Sequence, residues 1–254
     1  MGLSQLNFAG LDKVTVAKMR LQEFEPSEGY HLAFSGGKDS IVIYDLAVRA
    51  GIRFDAHYNV VGIDPPELVY FIREHYPSVT LDKPIEKIWS LVERKGLPRR
   101  QSRYCCEYLK EYSGAGRRVV TGIRWAESNR RRRRKMIEVC NYDKTKVFLH
   151  PIIDWTTSEV WEYIRGTGLS YCSLYDEGFK RLGCVLCPFT TPKRTAIEIA
   201  RWPKIADAWY RAGKRYYETA TNPGVKRWAT YDEMWQWWLS RRGEKKDSQC
   251  SRFI

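Results

Sequence analysis

The segment His31-Leu-Ala-Phe-Ser-Gly-Gly-Lys-Asp-Ser40 leaves this chain few folds to choose from. An apolar run ends in Ser35, Gly36, Gly37, Lys38, Asp39 and Ser40, and a helical pattern follows at once through Ile41, Val42, Tyr44, Leu46 and Ala47. A strand that feeds a glycine turn opening a helix points backbone N–H groups and the positive end of the helix dipole at one place, which suits phosphate. Gly36 and Gly37 admit an anion close to the backbone, and Ser35 and Ser40 add hydroxyl donors. Lys38 can neutralise phosphate charge, and Asp39 can hold a magnesium ion beside it. The bland alternative is an ordinary glycine turn, but six specified positions are more restrictive than a glycine pair.

Around this loop, strands alternate with helices. A strand pattern runs from residue 30 into the loop, others cover 54–61, 79–81, 118–123 and 147–151, and residues 1–29 read as an amphipathic helical lead-in. Helical patterns follow the loop to residue 50, run from Asp64-Pro65-Pro66-Glu67 to about residue 75, and cover 85–93. A further helix is capped by Thr156 or Thr157, with Val160, Trp161 and Ile164 on its inner face. This order predicts an α/β fold, a Rossmann-like, mostly parallel sheet with helices on both faces. Ligands of such sheets sit beyond the carboxyl ends of the strands, where the loop, residues 64–67 and residues 122–124 all fall. From Pro192 the pattern becomes helical and rich in aromatics, among them Trp202, Trp209, Trp228, Trp235, Trp237 and Trp238. Two parts are therefore expected: an α/β nucleotide-binding domain over residues 1–191 and a helical extension with a tail over 192–254. The aromatic stripe reads as core, with base stacking by one or two rings left open.

The chain has seven cysteines, an odd number, and no signal peptide among its first thirty residues. That combination points to metal or redox chemistry rather than a disulfide framework. No apolar run approaches the ~20 residues that span a bilayer, so a soluble, cytoplasmic protein is expected. Cys105 and Cys106 are adjacent, and Cys184 and Cys187 form a Cys-x-x-Cys followed by Pro188. Neighbouring side chains diverge, which suits a four-iron cubane better than one ion; a four-cysteine zinc site and incidental thiols are the other readings. Cys140 and Cys172 read as buried packing residues. Net charge is +13, and Arg117 to Lys135 holds nine basic residues against Glu127 alone. Such a patch suits a polyanion, although it also reads as a solvated face or a small-phosphate site.

The glycine loop resembles the PP-loop of the adenine nucleotide α-hydrolase superfamily, and the Walker spacing is absent. Gly62-Ile-Asp64-Pro-Pro-Glu67 resembles that group's Asp-x-Pro-Glu element, and Gly122-Ile-Arg124…Glu127-Ser128…Arg131 its Gly-x-Arg-x-x-Glu-Ser-x-x-Arg element. Pro151-Ile-Ile-Asp154-Trp155-Thr156 and the cysteine pattern complete a likeness to the phosphoadenosine-phosphosulfate-reductase-like family over about residues 28–190. The resemblance implies ATP and magnesium at Ser35, Gly36, Gly37, Lys38, Asp39, Ser40, Asp64, Glu67, Gly122, Arg124 and Arg131. It casts Lys38, Asp39 and Arg124 as catalytic, Arg124 and Arg131 gripping phosphates. It also implies a [4Fe-4S] cluster on Cys105, Cys106, Cys184 and Cys187.

Within the family the chain is similar to the ATP pyrophosphatase of DNA phosphorothioation. That likeness implies adenylation of a DNA backbone phosphate, DNA contact through Arg130, Arg131, Arg132, Arg133, Arg134 and Lys135, and sulfur from a cysteine desulfurase. The alternative is a reductase of adenylylsulfate or phosphoadenylylsulfate, with Cys250 as nucleophile and thioredoxin as partner. The flanks of Cys250 depart from the Glu-Cys-Gly-(apolar)-His pattern of such reductases, and Lys38 and Asp39 fit ATP with magnesium. A silent nucleic-acid-binding module is a third reading. Oligomeric state is open, a homo-oligomer included.

Overall fold

In the computed structural model, which describes Leu3 and residues 10–240, the first helix is α1 (Lys13–Glu23). Asp12 caps it by accepting from Thr15 N at 2.8 Å, and Ala17 and Leu21 face the interior. Then follow β1 (Tyr30–Ala33), α2 (Lys38–Ala50), β2 (Phe54–Asn59), α3 (Pro66–His75) and β3 (Thr80–Asp82). Helix α2 buries Ile41, Val42, Ile43, Leu46 and Ala47 and stops at Gly51, whose φ of 67° is left-handed and cheap for glycine. Proline opens α3, where its missing N–H costs nothing.

The chain crosses back through α4 (Ile88–Lys95) and α5 (Tyr104–Leu109) to β4 (Arg118–Val120), β5 (Ile137–Val139) and β6 (Val147–Leu149). The sheet order is β3-β2-β1-β4-β6-β5, with all pairs parallel except β5 against β6. The expected α/β fold with a mostly parallel sheet is what forms. Two elements went unforeseen: the antiparallel edge strand β5, three residues long and half exposed, and the short α5 that carries the cysteine pair. Helix α4 begins at Ile88 rather than at residue 85, because Ile85 stands almost wholly in solvent and Ile88, Leu91 and Val92 face the core.

Helix α6 (Thr157–Thr167) has Thr156 as its cap, with Glu159 returning a bond to the Thr156 backbone. Lys13 reaches Glu159 at 2.9 Å and Arg20 reaches Asp154 at 2.8 Å, which ties α1 to this corner. The remainder is helical: α7 (Pro192–Arg201), α8 (Pro203–Thr219), α9 (Pro223–Lys226) and α10 (Tyr231–Ser240). Trp202, Trp209, Trp235 and Trp238 are buried, so these aromatics are core. Trp209 meets Trp89 of α4 edge to face at 5.4 Å, and Trp238 Nε1 donates to Pro98 O at 2.7 Å. Among the described residues no helix is long and apolar enough to cross a membrane.

Candidate nucleotide site and cysteine centre

The loop leaves the end of β1 and enters α2 with Gly37 as a cap that has no side chain. Gly36 has φ +68°, and a Cβ there would fall 2.7 Å from Ile72 Cδ1 and 2.8 Å from Leu68 Cδ1. The turn therefore packs on α3 with no room for a larger residue. Ser35 and Ser40 share a hydrogen bond at 3.2 Å, and Ser40 Oγ donates to Gly37 O at 2.8 Å. Lys38 is buried, its Nζ 2.9 Å from Asp39 Oδ2. Arg124 Nε lies 2.8 Å from Asp39 Oδ1.

Gly122 makes that pairing achievable. A Cβ on it would sit 2.9 Å from Asp39 Cβ, so only glycine lets the segment after β4 come this near to α2. Arg124, expected to grip phosphate, is 1% exposed, and besides Asp39 it donates to Trp155 O at 3.1 Å. Its burial follows from the neighbouring positions of β1 and β4 in the sheet, which bring residues 39 and 124 together. In this structure Arg124 thus holds Asp39 Oδ1 and Trp155 O. Glu127 accepts from Arg124 N at 3.0 Å and pairs with Arg131. Burial lowers the Arg131 pKa while Glu127 counters it, and the charges of Asp39 and Arg181 are also felt there. The structure thus gathers Ser35, Gly36, Gly37, Lys38, Asp39, Ser40, Gly122, Arg124 and Arg131.

Asp64 and Glu67 turn elsewhere. Tyr58 OH donates to Asp64 Oδ2, while Asp64 Oδ1 is buried without a hydrogen-bond partner. Glu67 accepts from Trp202 Nε1 at 3.0 Å and pairs with Arg201 at 2.7 Å, which ties the start of α3 to the C-terminal helices.

The four motif cysteines converge. Cys105, Cys106, Cys184 and Cys187 line one cavity of about 20 Å³ with Val61, Ile63, Leu109, Lys110 and Trp209. Cys105 and Cys106 occupy the first turn of α5, and Arg103 donates to Cys106 Sγ at 3.0 Å. A hydrogen bond from the Cys105 thiol draws the Cys106 thiol down against the effect of burial, with Arg103 and Lys110 assisting. Cys105 is pushed up as the donor, and burial raises Cys184 and Cys187. Burial opposes the charge on Lys110, but Cys184, Asp64 and Cys106 hold it cationic.

The Cys-x-x-Cys turn needs Leu186 at φ 58°, an unfavourable left-handed conformation for a bulky residue. Three bonds keep it there: Val185 N to Ile63 O at 2.8 Å, Leu186 N to Glu198 Oε2 at 2.7 Å, and Trp209 Nε1 to Val185 O at 3.3 Å.

In the arginine run, Arg130, Arg132, Arg133 and Lys135 are exposed, whereas Arg134 pairs with Glu138. Cys172 is buried as expected, but Cys140 is half-buried, because it follows the exposed edge strand β5. Cys250 lies outside the described residues. Sequence reasoning missed Tyr175, whose hydroxyl accepts from Lys38 N at 2.9 Å over the loop. Burial raises its phenol pKa. It sits on a short turn far along the chain, held edge to face on Trp161 at 5.1 Å, and no local pattern marks it.

Residues 29–190, which hold all these motifs, match the phosphoadenosine phosphosulfate reductase domain. Two uncharacterised proteins of Methanocaldococcus jannaschii are 29% and 30% identical over 77% and 74% of this chain. The chain spans only 51% and 42% of their lengths. Adenosine 5'-phosphosulfate reductase 2 of Bacillus subtilis is 26% identical over 76% of this chain and 85% of its own. In fold, the chain is similar to phosphoadenylyl-sulfate reductase from Candida auris, with TM-score 0.52, 19% identity, and 70% and 90% of the two chains covered. With well over half its length inside the domain match and the sheet, loop and cysteines placed as described, this chain belongs to the phosphoadenosine phosphosulfate reductase family of the PP-loop superfamily.

Proposed function

We propose that this protein binds ATP with magnesium and adenylates an oxygen of its substrate, releasing pyrophosphate, so that a sulfur nucleophile can then displace AMP. The observation that carries this reading is the Lys38–Asp39–Arg124 assembly at the start of α2. Lys38 Nζ rests on Asp39 Oδ2; the β- and γ-phosphates of arriving ATP would take it over. That exchange frees Oδ2 for magnesium while Arg124 keeps Oδ1 in place. The lysine and the helix dipole then act where negative charge builds on the leaving group. Tyr175 lies over the same N–H, so nucleotide entry requires its hydroxyl to yield Lys38 N.

The four thiols fit an iron–sulfur cluster by donor type. They line one largely apolar cavity, and Cys106 is biased toward the thiolate that a metal requires. Cys105, Cys106, Cys184 and Cys187 would hold it, and it would supply one-electron chemistry or a structural tie. The proposed acceptor is a DNA backbone phosphate, supported by the exposed Arg130, Arg132, Arg133 and Lys135. Half-exposed Trp125 borders this run, its Nε1 donating to Arg134 O at 2.8 Å. Sulfur would come from a cysteine desulfurase. The test is incubation of anaerobically purified protein with ATP, magnesium and DNA: AMP and pyrophosphate are expected in equal amounts.

The relatives named as adenosine 5'-phosphosulfate reductases favour a second reading, reduction of a sulfonucleotide to sulfite. Under it Cys250 would attack sulfur as a thiolate, and thioredoxin would release sulfite. No pyrophosphate from ATP, sulfite from adenylylsulfate with thioredoxin, and loss of that activity in Cys250→Ser would together select this reading.

A further inference from the structure

Away from the loop and the cysteines, one face of the sheet carries an unusual group. His31 of β1 is in register with Asp55 of β2, and Ala33 with His57. Alternation therefore sends His31, Asp55 and His57 out on the same side. The two imidazoles stack with centroids 4.3 Å apart. His57 Nε2 lies 2.6 Å and His31 Nδ1 3.8 Å from the same atom, Asp55 Oδ2. The ligand atoms of the three residues all fall within 4.8 Å of one another.

The remaining ring nitrogens are anchored from behind. His57 Nδ1 meets Asp82 Oδ2 at 2.9 Å, and His31 Nε2 meets Ser113 Oγ at 3.0 Å. The other Asp55 oxygen accepts from Arg117 at 2.6 Å. The group opens onto a solvent-facing cavity of about 360 Å³ that Asp82, Lys83, Tyr112, Ser113 and Arg117 also line. Faces of parallel sheets are ordinarily apolar and covered, so packing does not account for this cluster.

We propose that His31, Asp55 and His57 bind one divalent first-row transition-metal ion, zinc or a near neighbour, with a further coordination position open to the cavity. Two imidazoles and one carboxylate form a donor set for such ions, and a carboxylate behind a ligating imidazole fixes its orientation. Asp82 and Ser113 supply that backing here. The site is independent of the nucleotide reading.

The test titrates full-length, anaerobically purified protein with Co²⁺ and then Zn²⁺. The expected result is one cobalt per chain whose d–d bands lack thiolate-to-cobalt charge transfer, and which zinc displaces. His57→Gln and His31→Gln should lose that equivalent. Asp82→Asn should keep the stoichiometry but bind about 10- to 100-fold more weakly. A wild-type spectrum showing only thiolate-ligated cobalt, or none bound, overturns the proposal even where a His31 variant fails to fold. So does an equivalent unchanged in His57→Gln, which would leave the cluster a hydrogen-bonded network only.

Discussion

Both carboxylate oxygens of Asp39 are held by cations of its own chain, which makes its neighbours separable by experiment. Lys38→Ala should cut pyrophosphate release by roughly 10²–10³-fold while leaving the fold intact, since its partner Asp39 keeps Arg124. Arg124→Lys should lower kcat and also raise the magnesium concentration needed for half-maximal rate, because a lysine cannot hold Asp39 and Trp155 O together. Native turnover in Lys38→Ala would remove the loop from the chemistry. The loop glycines and Lys38 were legible in sequence because neighbouring residues make the turn. The contact of Arg124 with Asp39 was not legible, since which carboxylate a guanidinium meets depends here on a pairing across 85 positions.

His150 is a second residue with a measurable signature. It is fully buried between Thr121 Oγ1 at 2.7 Å and Glu138 Oε1 at 3.3 Å, and burial lowers its pKa although Glu138 pulls it back. The unfolded imidazole takes a proton near pH 6.5, whereas the folded one resists it. This contribution to stability is therefore complete above about pH 6.5 and is lost as pH falls through the lower folded value. Thermal midpoints measured from about pH 7.5 to about pH 5.5 should fall less steeply in His150→Gln than in the wild type.

Among elements, the cysteine turn depends most on distant support. Glu198 of α7 is fully buried and accepts from Leu186 N with one oxygen and from Arg194 Nε, at 2.7 Å, with the other. Glu198→Ala strands a buried N–H and should cost about 1–3 kcal/mol, while Glu198→Gln keeps an acceptor and should recover much of it. Metal and sulfide analysis after anaerobic purification should show the Ala variant depleted and the Gln variant loaded. Equal loading in both would mean that the turn holds without α7. Helices with caps and apolar stripes, such as α2 and α6, were readable from their own residues. Strand β5 and helix α5 were not, because three and six residues carry too little periodicity, and their pairing or burial is decided by β6 and by the cysteine loop.

At the scale of the whole molecule, the excess charge is concentrated rather than spread. Arg130→Ala, Arg132→Ala and Arg133→Ala combined should weaken DNA binding about equally across sequences. The same triple variant should flatten the salt dependence by about one unit of slope for every phosphate it no longer neutralises. An unchanged slope would make this run a solvated face. Arg131 and Arg134 are left out of the substitution, because losing them would strand Glu127 and Glu138. The α/β part and the aromatic helices share one core through Trp89, Trp209 and Trp238, so the two parts should unfold together.

Trp209 also gives the cysteine centre an optical voice. Its indole is 1% exposed, lines the cavity beside the thiols and donates to Val185 O, next to Cys184. An iron–sulfur cluster absorbs broadly where indole emits, whereas zinc is transparent there. Oxygen exposure of the loaded protein should brighten a blue-shifted emission that Trp209→Phe lacks, and zinc replacement should leave it bright throughout.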